Sequence, residues 1–378
     1  MQRCDALVIG GGPAGAAAAI LLARAGRSVM VLEKSAFPRR KVCGEFISAA
    51  GVERLRALGV GERFEAASGP EIRRIAVWTG ERAFQAPMPR RRAGAPYPRT
   101  LEREALDPLL LGHAAACGAE VLQPATALSL RRTASGLVCE AAARRGAASF
   151  EIQARAVIAA HGSWEPGALC TQPPHLAPAP GDLLAFKAHF HGGGLPPHAI
   201  VLAPFPGGYA GLVERGGGRV TYACCVRRDA LYRMRSPAMS AGESVFRLSA
   251  GKLELQRQSP WLAAGPLRPG RRPLYRHGVF AIGNAAGEAH PVVGEGISLA
   301  LHSAALLCGP LAAALAGGYS PAAERAVARA YAWRWRRDIA FRLWLSARLA
   351  RLAMQPSSLK GRILGCVPAM LTLAARMK

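Results

Sequence analysis

A glycine-rich turn near the N-terminus has the spacing of a phosphate-binding site. The sequence from Asp5 to Gly15 is Asp-Ala-Leu-Val-Ile-Gly-Gly-Gly-Pro-Ala-Gly, an apolar run followed by a GxGxxG pattern and then an alanine-rich helix. Gly10 permits a tight turn, Gly12 lets a pyrophosphate approach the backbone, and Gly15 lets the helix pack against the strand. The N–H groups that open the helix then point at the phosphates. The residues assigned to this site are Gly10, Gly12, Pro13, Ala14 and Gly15.

An acidic residue ends the next apolar strand. The run from Ser28 to Glu33 is Ser-Val-Met-Val-Leu-Glu. Glu33 follows the glycines by about 20 residues, the offset from which a carboxylate accepts a hydrogen bond from a ribose hydroxyl. Lys34 comes directly after it and is assigned to the same site. An acid at this position favours an unphosphorylated ribose, so the sequence predicts FAD or NAD rather than NADP as the bound dinucleotide.

A second glycine-rich turn lies towards the other end of the chain. A strand from Val279 leads into Gly283-Asn284, and His290-Pro-Val-Val-Gly-Glu-Gly-Ile297 then leads into an apolar helix. This segment resembles the second flavin motif of the FAD-dependent aromatic hydroxylases and geranylgeranyl reductases, in which a Gly-Asp pair holds the ribityl chain. The resemblance selects FAD. It implies that the cofactor is contacted by Gly283, Asn284, Gly294, Gly296 and Ile297.

Two further segments resemble the same superfamily. Arg40-Lys-Val-Cys-Gly-Glu-Phe-Ile-Ser48 is similar to a cysteine-glycine segment near the flavin in its reductase-like branch, and the segment from Arg103 to Val121 is similar to a helix whose leading arginine contacts the cofactor. The four segments occur in family order and extend to about residue 305. They imply cofactor contacts from Lys41, Cys43, Gly44 and Arg103.

The sequence also departs from the family pattern. Asn284 stands where an aspartate is usual, and an amide keeps an acceptor oxygen but loses the charge. His161 stands where the hydroxylases carry an Asp-Gly pair linked to nicotinamide binding, which argues against their ordinary NADPH docking. Tyr209 lies in a segment similar to that of the reductases, but the tryptophan and Phe-Pro that should follow are missing. A true geranylgeranyl-reductase pocket is therefore not supported.

These matches imply an α/β fold in which a Rossmann-like, three-layer ββα FAD-binding domain is interrupted by a mainly antiparallel substrate sheet and followed by a helical C-terminal segment. The predicted FAD-binding domain comprises residues 1–70, 98–165 and 276–330. The substrate domain comprises 71–97 and 166–275, and the C-terminal segment 331–378. Strands are predicted at Leu183–His189, Ala199–Ala203, Tyr209–Glu214 and Arg219–Val226.

Composition excludes several classes of protein. The chain has 378 residues and is 51% hydrophobic, which excludes a disordered protein. Its 9 cysteines are scattered and never spaced as CxxC, so no metal site or disulfide framework is predicted. The net charge of +25 comes from dispersed basic residues without an aromatic-interleaved platform, which argues against nucleic acid and for an anionic membrane surface or an acidic carrier protein.

Two apolar regions bear on location. The run from Gly296 to Ala323 lacks charged side chains and is long enough to span a bilayer, but the resemblance makes it the buried helix under the flavin. The segment from Tyr331 to Leu345 mixes arginine with aromatic residues and predicts either a packed tail or peripheral membrane contact. The apolar piece at 363–375 is too short to span. Because the first strand starts almost at Met1, a signal or transit peptide is not expected, and a cytoplasmic protein is predicted, with the inner face of the membrane as an alternative.

The resemblance predicts an oxidoreductase whose chemistry belongs to FAD. The leading hypothesis is a monooxygenase that hydroxylates a hydrophobic aromatic or polyketide-like substrate, free or carrier-bound, through a flavin peroxide. The alternatives are a reductase or dehydrogenase of an isoprenoid or lipid-like chain and a non-catalytic flavin-binding protein. NAD(P)H is expected as a transient electron donor. His290 and Glu295 are the candidate catalytic residues, with a backbone-bonded loop histidine and a helix-capping glutamate as the alternative interpretations.

Overall fold

The structure is a computed structural model that describes residues 1–79, 82–90, 92–133, 136–143, 148–163, 166–235 and 238–355. The apolar piece at 363–375 lies outside these residues. In chain order the strands are β1 (Gln2–Ile9), β2 (Val29–Leu32), β3 (Phe46–Ile47), β4 (Arg74–Thr79), β5 (Arg82–Pro87), β6 (Arg99–Thr100), β7 (Glu120–Leu122), β8 (Thr126–Thr133), β9 (Gly136–Ala142), β10 (Ser149–Ala159), β11 (Leu183–Gly192), β12 (Ala199–Phe205), β13 (Gly208–Glu214), β14 (Arg219–Arg227), β15 (Leu255–Arg257), β16 (Leu262–Leu267), β17 (Gly270–Arg271), β18 (Tyr275–Arg276), β19 (Val279–Ala281) and β20 (Gly287–Glu288).

The helices connect and cover these strands. They are α1 (Pro13–Arg24), α2 (Ala49–Ala57), α3 (Gly61–Ala67), α4 (Arg103–Ala116), α5 (Arg228–Met234), α6 (Ala241–Ala250), α7 (Gly296–Ala316), α8 (Pro321–Trp335) and α9 (Phe341–Ala353). Short 3-10 turns occur at Gly283–Ala285 and Pro291–Val293, and a π-helical turn at Arg336–Ala340 joins α8 to α9.

The first sheet has a parallel centre in the order β19-β10-β1-β2-β7, with β18 antiparallel at one edge and the β8–β9 hairpin antiparallel to β10. Alternate residues of β1 enter two different cores. Ala6 and Val8 pack in the core that contains α1, α4 and α7, whereas Leu7 and Ile9 pack in the core under β8 and β9. Burial on both faces explains why β1 and β2 are apolar without alternation.

The second sheet has the order β15-β11-β14-β13-β12-β4-β5, with β16 also paired to β11. Its pairs are antiparallel except for β12 with β4. The four strands predicted between 183 and 226 are confirmed as β11 to β14, each extended by up to three residues. The three glycines at 216–218 form the hairpin turn between β13 and β14.

The last part of the described chain, from Gly296 to Ala353, is helical. α7 is long and apolar enough to cross a membrane, and it is the one helix of that kind in the part of the chain that the structure describes. It packs against α1, α2 and α8, and residues such as Leu301, Ala304 and Leu307 are buried in the first core. Its apolar character is thus explained by that core. The predicted α/β architecture with a helical C-terminal segment is confirmed.

Candidate functional site

The N-terminal glycine turn has a bare face at Gly12. A Cβ added there would meet only Arg103 Nη2 at 3.7 Å and Lys41 Nζ at 3.9 Å, both ordinary contact distances. At the neighbouring glycines, in contrast, the surrounding backbone leaves no room for a side chain. Gly10 has a φ of +110° and its Cβ would lie 2.6 Å from the Ala160 oxygen, while a Cβ on Gly15 would overlap the carbonyl oxygen of Gly10. Pro13 and Ala14 open α1 directly after this face, and we call the residues from Gly10 to Gly15 the pyrophosphate turn.

Two cations face the pyrophosphate turn and share one carboxylate. Arg103 binds Asp107 through two hydrogen bonds of 2.6 and 2.7 Å, and Lys41 Nζ lies 2.9 Å from Asp107 Oδ2. Burial alone would raise the pKa of Asp107, but Arg103 and Lys41 lower it below its usual range. The group therefore carries a net positive charge beside a helix N-terminus, which suits a diphosphate.

Glu33 is buried at the carboxyl end of β2. Its Oε2 accepts a hydrogen bond from the Gly11 N–H at 2.8 Å, and its Oε1 accepts one from the Ser35 N–H at 3.0 Å. Each carboxylate oxygen keeps a lone pair that can accept a ribose hydroxyl. Lys34 is exposed beside it, and partial burial lowers the pKa of its ammonium.

The second glycine turn lies against the first. Gly283 has a φ of +59°, and a Cβ added to it would lie 2.8 Å from the Ala14 Cβ. The Asn284 amide donates to Glu288 Oε1 at 3.2 Å. α7 begins at Gly296, where an added Cβ would meet nothing within 4 Å, so the N-terminus of this 21-residue helix is open. Ile297, next in the helix, is buried in the first core.

The segment from Lys41 to Glu45 connects both turns to the second sheet. Gly44 is exposed with nothing within 4 Å of an added Cβ, and the Cys43 sulfur accepts the Glu45 N–H at 3.3 Å. Glu45 adopts a left-handed φ of +59° and turns its side chain under the sheet. Such a conformation costs a non-glycine residue of order 1 kcal/mol and persists where surrounding contacts enforce it.

Those contacts come from β11 and β14. The fully buried Lys187 forms an ion pair with Glu45 Oε1, while His189 Nε2 at 3.2 Å and Thr221 Oγ1 at 2.6 Å donate to Oε2. Burial opposes ionisation of this carboxyl, but the hydrogen bond from His189 and the charge of Lys187 outweigh it and lower the pKa of Glu45 to about 2. Glu45 is therefore an anion held by three donors.

An apolar cavity of about 300 Å³ opens between the second sheet, α9 and the loop before α7. Its predominantly apolar walls combine β12, β13 and β14 with residues 42–50, the 291–295 loop and one side of α9. Cys43, Gly44, Gly294 and Glu295, four of the predicted site residues, line it. Gly294 has a φ of +63° and faces the Phe46 ring, 2.9 Å from where a Cβ would stand.

Tyr209 in the cavity wall forms a hydrogen-bonded pair with His290. Tyr209 Oη and His290 Nδ1 are 2.8 Å apart, and the His290 N–H donates to Ser346 Oγ at 2.9 Å. Burial lowers the pKa of His290 to about 4 and raises the pKa of Tyr209 well above its usual range. Both side chains are therefore neutral near pH 7. The bond to a tyrosine hydroxyl replaces the backbone bond considered for His290.

Glu295 precedes α7 but does not cap it through its side chain. Its Oε2 lies 2.7 Å from Arg342 Nη2 of α9, so the capping interpretation is wrong and an ion pair takes its place. Burial lowers the pKa of Arg342 to about 10. This pair ties the helix N-terminus to the C-terminal helix at the edge of the cavity.

His161 lies away from the Tyr209–His290 pair, near the carboxyl end of β10. Its Nε2 is 2.8 Å from Thr171 Oγ1 and its Nδ1 is 3.0 Å from the Gly162 oxygen. Burial lowers its pKa to about 4.

Sequence reasoning did not single out several polar residues of this region. They are Lys187, His189, Thr221 and Arg342, with Glu45 and Tyr209 quoted only as parts of motifs. Lys187 and His189 stand two residues apart in β11, a strand that is otherwise apolar except for His191 near its end, so both project to one face of the sheet. That spacing indicates a buried acidic partner, although it does not identify it.

The residues present fit FAD. The bare Gly12, the two cations, the acceptor Glu33 and the open N-terminus of α7 form a continuous series from the first glycine turn to the cavity. When bound there, FAD would supply redox chemistry next to an apolar chamber.

Comparisons with known proteins agree with this geometry. Residues 3–170 match the FAD binding domain family. The menaquinone reductase of Mycobacterium tuberculosis is 32% identical over 165 residues, which cover 44% of this chain and only 39% of that protein. Digeranylgeranylglycerophospholipid reductase 2 of Methanopyrus kandleri is 28% identical over 335 residues, covering 82% of this chain and 76% of that protein.

Solved structures share the fold over nearly the whole chain. A geranylgeranyl bacteriochlorophyll reductase-like protein of Thermoplasma acidophilum superposes with a TM-score of 0.78 at 20% identity, covering 99% of this chain and 96% of the other. The myxobacterial chondrochloren halogenase CndH gives a TM-score of 0.76 at 20% identity, covering 99% and 91%. Residues 3–170 thus match an FAD binding domain, and nearly the whole chain has the fold of flavin halogenases and geranylgeranyl-reductase-like proteins, which confirms the resemblance seen in the sequence.

Proposed function

We propose that this protein is an FAD-dependent reductase that saturates a carbon–carbon double bond in an isoprenoid or similar lipid chain. The observation that carries the proposal is a neutral Tyr209–His290 pair in the wall of an apolar cavity beside the flavin site. Reduced FAD would supply the two electrons, and the second carbon of the double bond would need a proton from the protein.

Tyr209 has the properties of that proton donor. Because burial raises the pKa of its hydroxyl, the group holds its proton throughout the neutral range and cannot serve as a resting base. In the His290 tautomer with hydrogen on Nδ1, the imidazole donates to the phenol oxygen, and the phenol O–H, which contacts Cys225 in the structure, would turn to a bound substrate. The same imidazole can then pass its Nδ1 proton to the phenolate while its Nε2 takes up a proton from water, so that the ring stays neutral.

The cavity suits an apolar chain. Ile200, Leu202, Leu212 and Val292 are among its walls, and the polar side chains there are few. Apolar side chains with a few convergent polar groups are typical of sites for hydrophobic small molecules. Two curated relatives of which more than three quarters is covered by this chain act, by name, on digeranylgeranylglycerophospholipids.

The test is anaerobic. Protein reduced with dithionite is mixed, without oxygen, with a short polyprenyl phosphate or a menaquinone with an unsaturated side chain, and flavin absorbance and product mass are followed. Flavin reoxidation with a product that gains two hydrogens is expected. Tyr209→Phe should keep FAD and slow this step by about 100-fold, the usual scale for losing a general acid. Tyr232→Phe, at an exposed tyrosine on α5, is the matched control. No reoxidation with any lipid, or an unaffected Tyr209→Phe variant, would contradict the proposal.

A monooxygenase acting on a hydrophobic aromatic or polyketide-like substrate is the second candidate. The apolar walls would keep water from a reacting oxygen species, and squalene epoxidase of Schizosaccharomyces pombe is 29% identical over 96 residues. In the same experiment this enzyme would act only after oxygen is admitted, and its product would gain one oxygen atom. Replacing dithionite by NADH or NADPH tests NAD(P)H as the transient donor in either case.

A further inference from the structure

The C-terminal helices carry two stripes of side chains on opposite faces. The inner stripe is buried and includes Tyr331, Trp335, Ile339, Leu343 and Ala350. The outer stripe is exposed and consists of Trp333, Arg337, Phe341, Trp344 and Arg348, at spacings of four, four, three and four residues. These spacings place the five residues along one side of the continuous helical run. We call this set the aromatic–arginine stripe.

Neighbouring residues of the stripe contact one another. The Arg337 guanidinium lies 4.8 Å from the Trp333 ring centre, Arg348 lies 5.0 Å from Trp344, and the Phe341 and Trp344 rings stack at 5.7 Å. Trp333 is 61% exposed, Trp344 53% and Phe341 43%. Large aromatic side chains displayed in a row with arginines are unusual for a solvent-facing helix.

The stripe borders the mouth of the apolar cavity. Phe341 belongs to the stripe and also lines the cavity, together with Leu345 and Leu349 of the same helix. The cavity lining also includes Met88 and Pro89, which are followed by the exposed Arg90. An apolar surface with a basic border thus leads into the chamber.

The charge of this region favours an anionic occupant. Residues 321–355 contain eight arginines and two acidic residues, and those two acids, Glu324 and Asp338, are already paired with arginines. Aromatic rings place themselves at the boundary between lipid headgroups and acyl chains, where arginine can reach the phosphates.

We propose that the aromatic–arginine stripe docks the protein on an anionic lipid bilayer, with the cavity mouth against the membrane. The docking goes beyond the reaction; only its link to substrate entry rests on the proposed function. A lipid chain would then move from the bilayer into the cavity past Phe341 without crossing water.

The test measures binding and requires no turnover. The FAD-loaded protein is sedimented with vesicles of phosphatidylglycerol and phosphatidylcholine in equal parts, and with vesicles of phosphatidylcholine alone. Binding to the anionic vesicles only is expected. Arg337→Ala and Arg348→Ala should each weaken it by about fivefold, the scale of one basic residue near an anionic surface. Trp333→Ala with Trp344→Ala should weaken it by about tenfold through lost apolar burial.

Matched controls lie on α5. Tyr232 is 68% exposed and Arg233 71%, so Tyr232→Ala and Arg233→Ala remove the same kinds of group elsewhere and should bind as the wild type does. FAD content verifies that every variant is folded.

The proposal is overturned if the wild type does not bind anionic vesicles or if the stripe variants bind them as tightly as the wild type does. A wild-type dimer that becomes a monomer in the tryptophan variant would also overturn it, because the stripe would then join two copies. None of these results bears on lipid reduction, which is measured with dissolved substrate.

Discussion

The pyrophosphate turn and the apolar cavity differ in how their residues are brought together. The turn lies within Gly10–Gly15. The side chains of Lys41, Arg103 and Asp107, which come from two other segments, complete it. The cavity takes its walls from segments spread between residues 42 and 349. The turn works through its backbone conformation, which a short motif specifies, whereas the cavity works through side chains that tertiary pairing selects. The cofactor of such a protein is therefore easier to predict from its sequence than the substrate is.

The largest effect should come from the ion pair under the cavity. Lys187→Met leaves the Glu45 carboxylate buried without its cation and should lower the free energy of unfolding by about 3–5 kcal/mol. Urea unfolding measures this loss. Adding Glu45→Gln should recover part of it, because the uncompensated charge is then gone. Strict additivity of the two substitutions would show that the pair is not coupled.

At the pyrophosphate turn, the fold and the cofactor should be separable. Gly12→Val places a side chain where only Lys41 and Arg103 are near, so we expect a folded protein that binds FAD about 100-fold more weakly, a loss of about 3 kcal/mol. Fluorescence titration with FAD measures it, and circular dichroism reports the fold.

Two other glycines sharpen this experiment. Gly15→Ala should disrupt the turn itself, since its Cβ would meet the Gly10 oxygen. Gly112→Ala, on α4 with nothing near its Cβ, should leave FAD binding unchanged and slightly stabilise the helix. Equal FAD binding by wild type and Gly12→Val would remove the turn from the cofactor site.

Acid should destabilise the protein through buried histidines before it affects carboxylates. Burial lowers the pKa of His161, His290 and His302 to about 4 from an ordinary value of 6.5, so the unfolded chain binds their protons first. The contribution of these neutral histidines to the free energy of unfolding is therefore fully present above pH 6.5 and is lost as the pH decreases towards 4. Glu45, with its pKa lowered to about 2, adds a second loss below pH 4.5.

Unfolding midpoints in urea between pH 7 and 5 measure the first loss. His290→Gln should reduce proton uptake on unfolding by about one proton, and His175→Gln, at an exposed histidine on a loop, is the control variant. A stability that is flat over this range would contradict the buried neutral state of these imidazoles.

The smallest effect should come from substitutions of Glu33, the acceptor for a ribose hydroxyl of FAD. Glu33→Ala removes the acceptor for both the Gly11 and Ser35 N–H groups and for a ribose hydroxyl, and should weaken FAD binding by about tenfold. Glu33→Gln keeps one acceptor oxygen and should lose less. An alanine variant with wild-type affinity would leave Glu33 a purely structural role.

The same contrast explains what could be predicted from the sequence. The strands β1 and β2, the turn between β1 and α1 and the four strands β11 to β14 follow from local patterns of apolar residues and glycine. The Lys187–Glu45 pair joins residues 142 apart and the Tyr209–His290 pair joins residues 81 apart. A local sequence pattern cannot predict contacts between residues that are so far apart in the chain. The alternative interpretation of Glu295 as a helix cap is wrong because its carboxylate pairs with Arg342, 47 positions later in the chain.

The buried face of the C-terminal helices could not be predicted from the sequence for a related reason. Its apolar residues occupy both faces, and a wheel cannot tell that Trp335 and Ile339 enter the core while Trp333 and Trp344 remain outside. Only the packing against α7 and the first sheet separates the two sets.

The distribution of the cofactor site along the chain also sets an order in time. Every residue of the pyrophosphate turn, its cations and Glu33 has been synthesised by Leu122, and the last parallel neighbour of β1 ends at Ala159. Gly283 and the open end of α7 leave the ribosome more than 120 residues later. During synthesis, the residues that would contact the nucleotide end of FAD are therefore available well before those that would enclose the ring. We expect full retention of the cofactor only once both sets are present.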